Sequence, residues 1–416
     1  MGIRMNEELK YIRKRLWKAR FESILFYLCR IFPVKKYKIV FCCIEGTTGY
    51  TCNPKYIAEE FIKENKSSNK KYELVWLVND TTKKFPEEIT VIKNTLWNRA
   101  YHLTTAHFWI DNSRKQLEVR KRKGQIYIQT WHAKLGFKPT CLDRGASFSK
   151  IAYLVSKHDS DMVDFWLSNS DWYDSTLPTG SLYKGKTLRT GSPRCDILIK
   201  ASNDKVFKDN IKLNLCKTYK IKIKNPDEIH FLMYAPTFRG GSQGINRIVE
   251  AGNHFPDYKI LKSALENKFG GTWIIILRLH PQLVARNLGS SVHNNNITID
   301  ASRVDDMYEM LAGCDAFMTD YSSAAFDAAV MKIPVFLYCD DYAEYEEERG
   351  KLLWNLKELP FPLAIDNPSL EQEIKNFIDE QYQKELNCLL LKSGVMETGN
   401  ATCDVVKWMK KSCYDN

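Results

Sequence analysis

Two α/β domains in tandem, each a parallel sheet wrapped by helices, are what this sequence predicts. Three observations predict it. The chain has 416 residues, too many for one typical core and suited to two domains of roughly 200 residues each. From residue 38 onward, short apolar runs alternate with helical segments, the pattern of parallel strands joined by helical crossovers. The alternation stops at a polar, lysine-rich stretch over 200–227 that ends in Asn225-Pro226, and then restarts.

The first element is a helix over 6–32. Leu9, Ile12, Leu16, Phe21, Ile24, Leu25, Leu28 and Ile31 recur at helical spacing, Trp17, Phe26 and Tyr27 widen the apolar side, and Pro33 ends the run. Residues 1–38 hold eleven Lys or Arg against three Glu, which accounts for +8 of the chain's net +11. The basic character is therefore local. A basic amphipathic helix with aromatic residues fits an anionic membrane surface, and a helix packed on its own domain with a solvated basic face is the alternative.

In the first domain, 37–220, strands are expected at 38–43, 72–78, 105–110, 125–129 and 164–170, with helices at 54–65 and 96–105. In the second, 221–400, strands are expected at 228–235, 272–280, 297–300, 315–320 and 333–338. Helices are expected there at 258–269, 304–313, 322–331 and 369–391, with a last helical segment at 402–413. Open α/β sheets bind ligands at the carboxyl ends of their strands, so two such domains place a ligand cleft between them.

No apolar stretch approaches the roughly 18 residues of a membrane span. No apolar core with a small-residue cleavage site follows the basic N-terminus, so the chain is expected to stay in the cytoplasm. The twelve cysteines include no CxxC pair, which argues for reduced, packed thiols over disulfides or structural zinc. Charge confined to one end, with no recurring aromatic-basic platform, argues against nucleic acid as a partner.

Six motifs stand out, four of them where the expected strands run out. "GQIYIQTWHAKLGFKPT", 124–140, delivers Trp131, His132 and Lys134 from a strand into a basic, glycine-broken loop. "YAPTFRGG", 234–241, places Thr237 and Arg239 after a strand, beside flexible backbone that suits an anion. "ILRLHP", 276–281, puts Arg278 and His280 on one side of a strand that Pro281 stops; His280 reads equally well as a capping group. "MTDYSSAAFDAAVMKIPVFLY", 318–338, ends a strand at Thr319-Asp320 and opens a helix at Ser322-Ser323. There the hydroxyls cap free backbone N–H groups, and the same N–H groups suit a phosphate. "GSPRCD", 191–196, reads first as a structural pair of Arg194 with Asp196. "GSLYKGKT", 180–187, matches the nucleotide P-loop pattern, but Gly191 and Pro193 leave no room for the helix that motif requires, so a surface loop is expected.

Taken in order, "QTWHAKLG", "TGSPRCD", "YAPTFR", "RLHP", "TDYSSAAFD" and "YEEERG" resemble the CDP-glycerol glycerophosphotransferase family, whose members build teichoic acids and some capsular polymers. The resemblance covers roughly 129–350. It implies a glycosyltransferase-B type fold, two Rossmann-like domains facing a cleft, with an N-terminal amphipathic helix and a C-terminal helix, 401–416, that crosses back to the first domain. It implies transfer of glycerol phosphate from CDP-glycerol, or of ribitol phosphate from CDP-ribitol, to a hydroxyl of a lipid-linked or polymer acceptor. It further implies that CMP is released at the cytoplasmic face of the membrane. A sugar transferase of the same fold is the further alternative.

In that reading His132 is the general base, and His280 neutralises or protonates the departing CMP phosphate. Thr237, Arg239, Arg278, Thr319, Asp320, Ser322, Ser323 and Glu348 hold the donor, with Tyr321 a further contact. Trp131 and Lys134 face the acceptor. No tightly bound cofactor and no protein-held metal are implied, although a magnesium ion can ride on the donor diphosphate. One position departs from the family's usual T-W-H-G: Ala133 stands where the glycine is, and alanine resists some backbone shapes glycine allows.

Overall fold

The computed structural model describes residues 2–222, 226–237, 255–279 and 297–414. Two all-parallel sheets form its frame. The first has seven strands in the order β3-β2-β1-β4-β5-β6-β7: β1 (Lys35–Cys42), β2 (Glu73–Val78), β3 (Thr90–Lys93), β4 (Ala106–Asp111), β5 (Ile126–Gln129), β6 (Phe165–Ser168) and β7 (Lys186–Arg189). The second has six in the order β10-β9-β8-β11-β12-β13: β8 (Ile229–Tyr234), β9 (Thr272–Leu277), β10 (Thr298–Asp300), β11 (Ala316–Thr319), β12 (Val335–Tyr338) and β13 (Leu363–Ala364).

The central strands read as unbroken apolar runs because helices cover both faces of each sheet, and a parallel ladder buried on both sides leaves no polar face. Strand order reverses between β1 and β4 in the first sheet and between β8 and β11 in the second. At those points neighbouring crossovers leave in opposite directions and open a crevice beyond the strand ends. The residues that follow β4 and β5, and those that follow β8 and β11, are therefore the ones the topology brings to the ligand side.

Several elements go beyond the sequence reading. β3, β7 and β13 are edge or near-edge strands of two to four residues, too short to show periodicity. Helices Lys150–Met162 and Asp171–Gly180 were not expected. The stretch expected as a polar crossing holds helices Asp196–Asn203 and Lys205–Thr218. Leu215 and Cys216 of the latter are buried in the core of the second sheet, so apolar residues at helical spacing lie beneath its lysines. The expected helix over 369–391 is two helices, Asn367–Asn376 and Asp379–Lys392, broken where Phe377 turns extended and buries its ring. In "GSLYKGKT" the Lys-Thr pair opens strand β7, not a helix, and Tyr183 of the loop is buried.

Helix Gly2–Leu28 packs on helix Leu96–Thr105, with Phe26 in one cluster with Ala100 and Leu103, and its Ile12 and Ala19 are also buried. Its other side exposes Trp17, Phe21, Ile24 and Leu28, with Ile31 in the turn that follows. Phe21 and Ile31 are 76% and 81% exposed. Helix Ala401–Tyr414 lies against helix Cys52–Ser67, and Val405, Val406 and Met409 join the first sheet's core. No helix among the described residues is long and apolar enough to cross a membrane. None of the twelve cysteines is disulfide-bonded, and most are buried.

Candidate active site

β5 ends at Gln129, and the next three residues turn sharply. Three successive carbonyls are captured there. The Asn53 side-chain amide donates to Thr130 O at 3.2 Å and Trp131 O at 2.8 Å, and the Arg194 guanidinium donates to His132 O at 2.7 Å. Trp131 sits at φ +48°, a left-handed conformation that costs a side-chain-bearing residue about 1–2 kcal/mol. Its ring is held between His132 and Trp166, with Arg114 4.7 Å from its centroid. Ala133 is not among the residues at positive φ. The strained position is Trp131, so the missing glycine leaves this turn unhindered.

His132 keeps exposed surface beyond the end of β5, and its Nδ1 lies 2.7 Å from Asn112 O. A carbonyl only accepts, so Nδ1 carries the proton and Nε2 keeps its lone pair. Asn112 follows β4, at the point where strand order reverses. Its turn is fixed by Asp111, which accepts from Ser113 N at 2.9 Å and is paired with buried Lys115. The surrounding protein withholds water from an imidazolium, and Arg194, Arg114 and Lys134 repel it. Both effects hold the His132 pKa below its usual value and outweigh the Asn112 bond.

Lys134 does not face an acceptor. It is 4% exposed, and its ammonium donates to Thr130 O at 2.8 Å and to Leu167 O. It straps the end of β5 to β6 and serves position, not contact. Beyond it the loop crosses to the second half. A Cβ on Gly136 would lie 3.4 Å from the Ser323 Cβ, the Phe137 and Phe326 rings are 4.9 Å apart, and Leu353 N donates to Phe137 O at 2.8 Å. The loop that begins with His132 thus ends against the serine turn.

In the second half, Asp320 is buried and accepts from Thr237 N at 2.9 Å, Thr237 Oγ1 at 2.9 Å and Tyr321 N at 2.6 Å. It clamps the two strand ends of the reversal point together. Thr319 is fully buried and donates to Ala235 O at 2.7 Å. Arg278 is turned inward too: its Nη1 donates to Ala301 O and Ser302 O, both at 2.8 Å, so it shapes the 301–305 turn in place of meeting a phosphate.

Ser322 and Ser323 are half-buried at the start of helix Ala324–Ala329. Ser322 Oγ accepts from Ala324 N at 3.3 Å, whereas Ser323, at the N-cap, makes no side-chain capping bond. Tyr321 is buried, donates to Asp341 at 2.9 Å and stacks on Tyr345 at 3.8 Å. Arg239, His280 and the side chain of Glu348 lie outside the described residues. Among the described residues no group of three or more His, Cys, Asp and Glu is placed to hold a metal.

The expected Arg194–Asp196 pair does not form. Asp196 accepts from Ala401 N at 3.0 Å and Thr402 N at 2.8 Å and so caps the returning C-terminal helix. Arg194 instead pairs across the cleft with Asp327 at 2.6 Å, on the helix the serines open. Lys55–Asp306 at 2.7 Å and Lys83–Asp305 at 2.6 Å also join the two halves. Asn53, Asn112 and Asp327 were not read from the sequence as site residues. Asp327 lies within "TDYSSAAFD", but its partner is 133 residues away and no spacing rule points to it.

Residues 24–409 match the family model described as CDP-glycerol:poly(glycerophosphate) glycerophosphotransferase. The chain belongs to this family. Among curated proteins, this chain is 27% identical to a teichoic acid poly(glycerol phosphate) polymerase of Staphylococcus epidermidis over 89% of its own length and 50% of the relative's. It is 24% identical to a polymerase of the same name from Bacillus spizizenii, covering 94% of this chain and 96% of that one. It spans about half the length of the first curated relatives it matches. A solved structure of the wall teichoic acid polymerase TagF matches with a TM-score of 0.77 at 24% identity, covering 100% of this chain and 99% of that chain, and shares the two-domain, glycosyltransferase-B type fold.

Proposed function

We propose that this glycerophosphotransferase-family protein moves glycerol phosphate from CDP-glycerol to a hydroxyl of a membrane-linked acceptor and releases CMP. The observation that carries this reading is His132. It is an imidazole beyond the end of β5 whose tautomer is fixed by Asn112, in a loop that ends against Ser323.

Nε2 accepts the proton of the acceptor hydroxyl as its oxygen attacks the phosphorus that bears glycerol. A new P–O bond forms, the P–O bond to the CMP phosphate breaks, and that electron pair leaves on CMP. Growing charge on the phosphates needs preset donors. Ser322, Ser323 and the N–H groups they precede are assigned to it, with Arg239 and His280 as cationic partners. Thr237, Asp320, Thr319 and Arg278 shape the donor side, and Trp131 and Lys134 shape the acceptor side. No chain residue is asked to hold a metal; a magnesium ion would arrive on the donor diphosphate.

The exposed apolar stripe of helix Gly2–Leu28, beside its lysines and arginines, rests on the cytoplasmic face of the membrane in this reading and brings the cleft to lipid-linked acceptors. The test is CMP release by purified protein offered CDP-glycerol, CDP-ribitol or nucleotide sugars with a panel of lipid-linked acceptors, His132→Ala alongside. CMP formed from CDP-glycerol and dependent on His132 supports the reading. Consumption of CDP-ribitol alone, or of a nucleotide sugar alone, replaces the donor assignment.

A further inference from the structure

Arg194 is 2% exposed, and its guanidinium is engaged at both ends. Nη1 donates to His132 O at 2.7 Å and approaches Cys52 Sγ at 3.4 Å, and Nη2 donates to Asp327 Oδ2 at 2.6 Å. Tyr308 donates to the same carboxylate oxygen at 2.6 Å, and its ring centroid lies 5.0 Å from the guanidinium carbon. The Arg194 backbone N donates to Asn53 Oδ1 at 3.1 Å, and Asn53 holds the two carbonyls before His132. One side chain thus grips the peptide that bears the imidazole from one half and a carboxylate on the serine helix from the other.

We infer that Arg194 is a positioning residue that couples the orientation of His132 to the seating of the donor half through Asp327. The inference rests on the reading of His132 as the base. The 130–132 turn is strained at Trp131 and keeps its shape only while its carbonyls are held. Asp327 lies on the helix that Ser323 precedes, so motion of that helix relative to the first half moves the anchor of the guanidinium. The base is then aligned when the donor side is in place, and slack when it is not.

The experiment compares Arg194→Gln, Asp327→Asn and His132→Ala in the full chain, measuring kcat, donor affinity by calorimetry and the pH profile of kcat/KM. Displacing a base by about 1 Å costs on the order of 10²-fold in turnover, and that loss of kcat, with donor affinity unchanged, is expected for Arg194→Gln and Asp327→Asn. The cations facing His132 are Arg194, Arg114 and Lys134. Removing the Arg194 charge moves the acid limb to higher pH.

A merely structural arginine would lose donor affinity and thermal stability together with kcat, and that result overturns the inference. So does unchanged kcat in Asp327→Asn, or a loss of donor affinity there. If Arg194→Gln fails to fold, the near-isosteric Asp327→Asn decides by itself. Full turnover by His132→Ala is a separate outcome: it removes the base and, with it, anything for Arg194 to position.

Discussion

The Nδ1 of His132 and the carbonyl oxygen of Asn112 lie 2.7 Å apart, and this contact fixes which nitrogen of the cleft imidazole can take a proton. A ring held this way needs no further partner to be the right tautomer. It needs only a hydroxyl brought to Nε2.

Replacement of His132 by alanine is expected to lower CMP release by roughly 10²–10⁴-fold, the usual contribution of a positioned general base. Because His132 keeps exposed surface and its turn is held by Asn53, Arg194 and Lys134, the thermal unfolding midpoint should stay near that of the unchanged protein. Turnover within a few-fold of the parent, in a folded variant, would remove His132 from the reaction.

The pH profile follows from the direction of the shift. Burial in protein and the three nearby cations depress the His132 pKa. A base works when neutral, that is, above its pKa, so activity should persist as pH falls past the ordinary histidine value of about 6.5 and decline only below it. The same depression means the unfolded chain binds the proton first, so this group disfavours the fold as pH drops through about 6.5. An acid limb at or above that value, read from kcat/KM, contradicts the assignment.

Ser322→Ala combined with Ser323→Ala is expected to weaken donor binding while leaving the helix in place, since Ser323 makes no capping bond and Ser322 only a 3.3 Å one. Loss of a hydrogen bond to a charged ligand is worth about 1.5–3 kcal/mol, so a tenfold or larger rise in the calorimetric Kd is expected. An unchanged Kd would move the phosphates elsewhere.

Trp17 and Phe21 lie on the exposed stripe of the first helix. Their joint replacement by serine should reduce co-sedimentation with phosphatidylglycerol-containing vesicles at least tenfold, because burying one such side chain is worth about 1.5–3 kcal/mol. Activity on a short water-soluble acceptor should persist. Equal sedimentation of both forms would assign the stripe to another partner.

Much of the frame was legible without coordinates. β1, β2, β4, β5, β8, β9, β11 and β12 are apolar runs because both sheet faces are covered, and an apolar run is visible in one dimension. His132 and the serine pair were legible for a related reason: each sits where such a run stops, and strand ends are where this architecture opens. The short strands β3, β7 and β13 were not legible, since two to four residues carry no periodicity. The helices under the lysines of 200–227 were hidden by their charged outer faces.

Local periodicity and chain order are enough to specify the parallel sheets, the order of the motifs and the residue types at the strand ends. The tertiary structure alone decided which of those side chains face the cleft. Arg278, Thr319, Asp320 and Lys134 look like ligands in a string of letters, yet each is turned inward. The backbone groups left unpaired at strand ends must find partners when buried, and these side chains supply them. Arg194 looked like the local partner of Asp196 and is instead the bridge to Asp327, because a buried guanidinium takes the carboxylate that folding brings closest, whatever the distance along the chain.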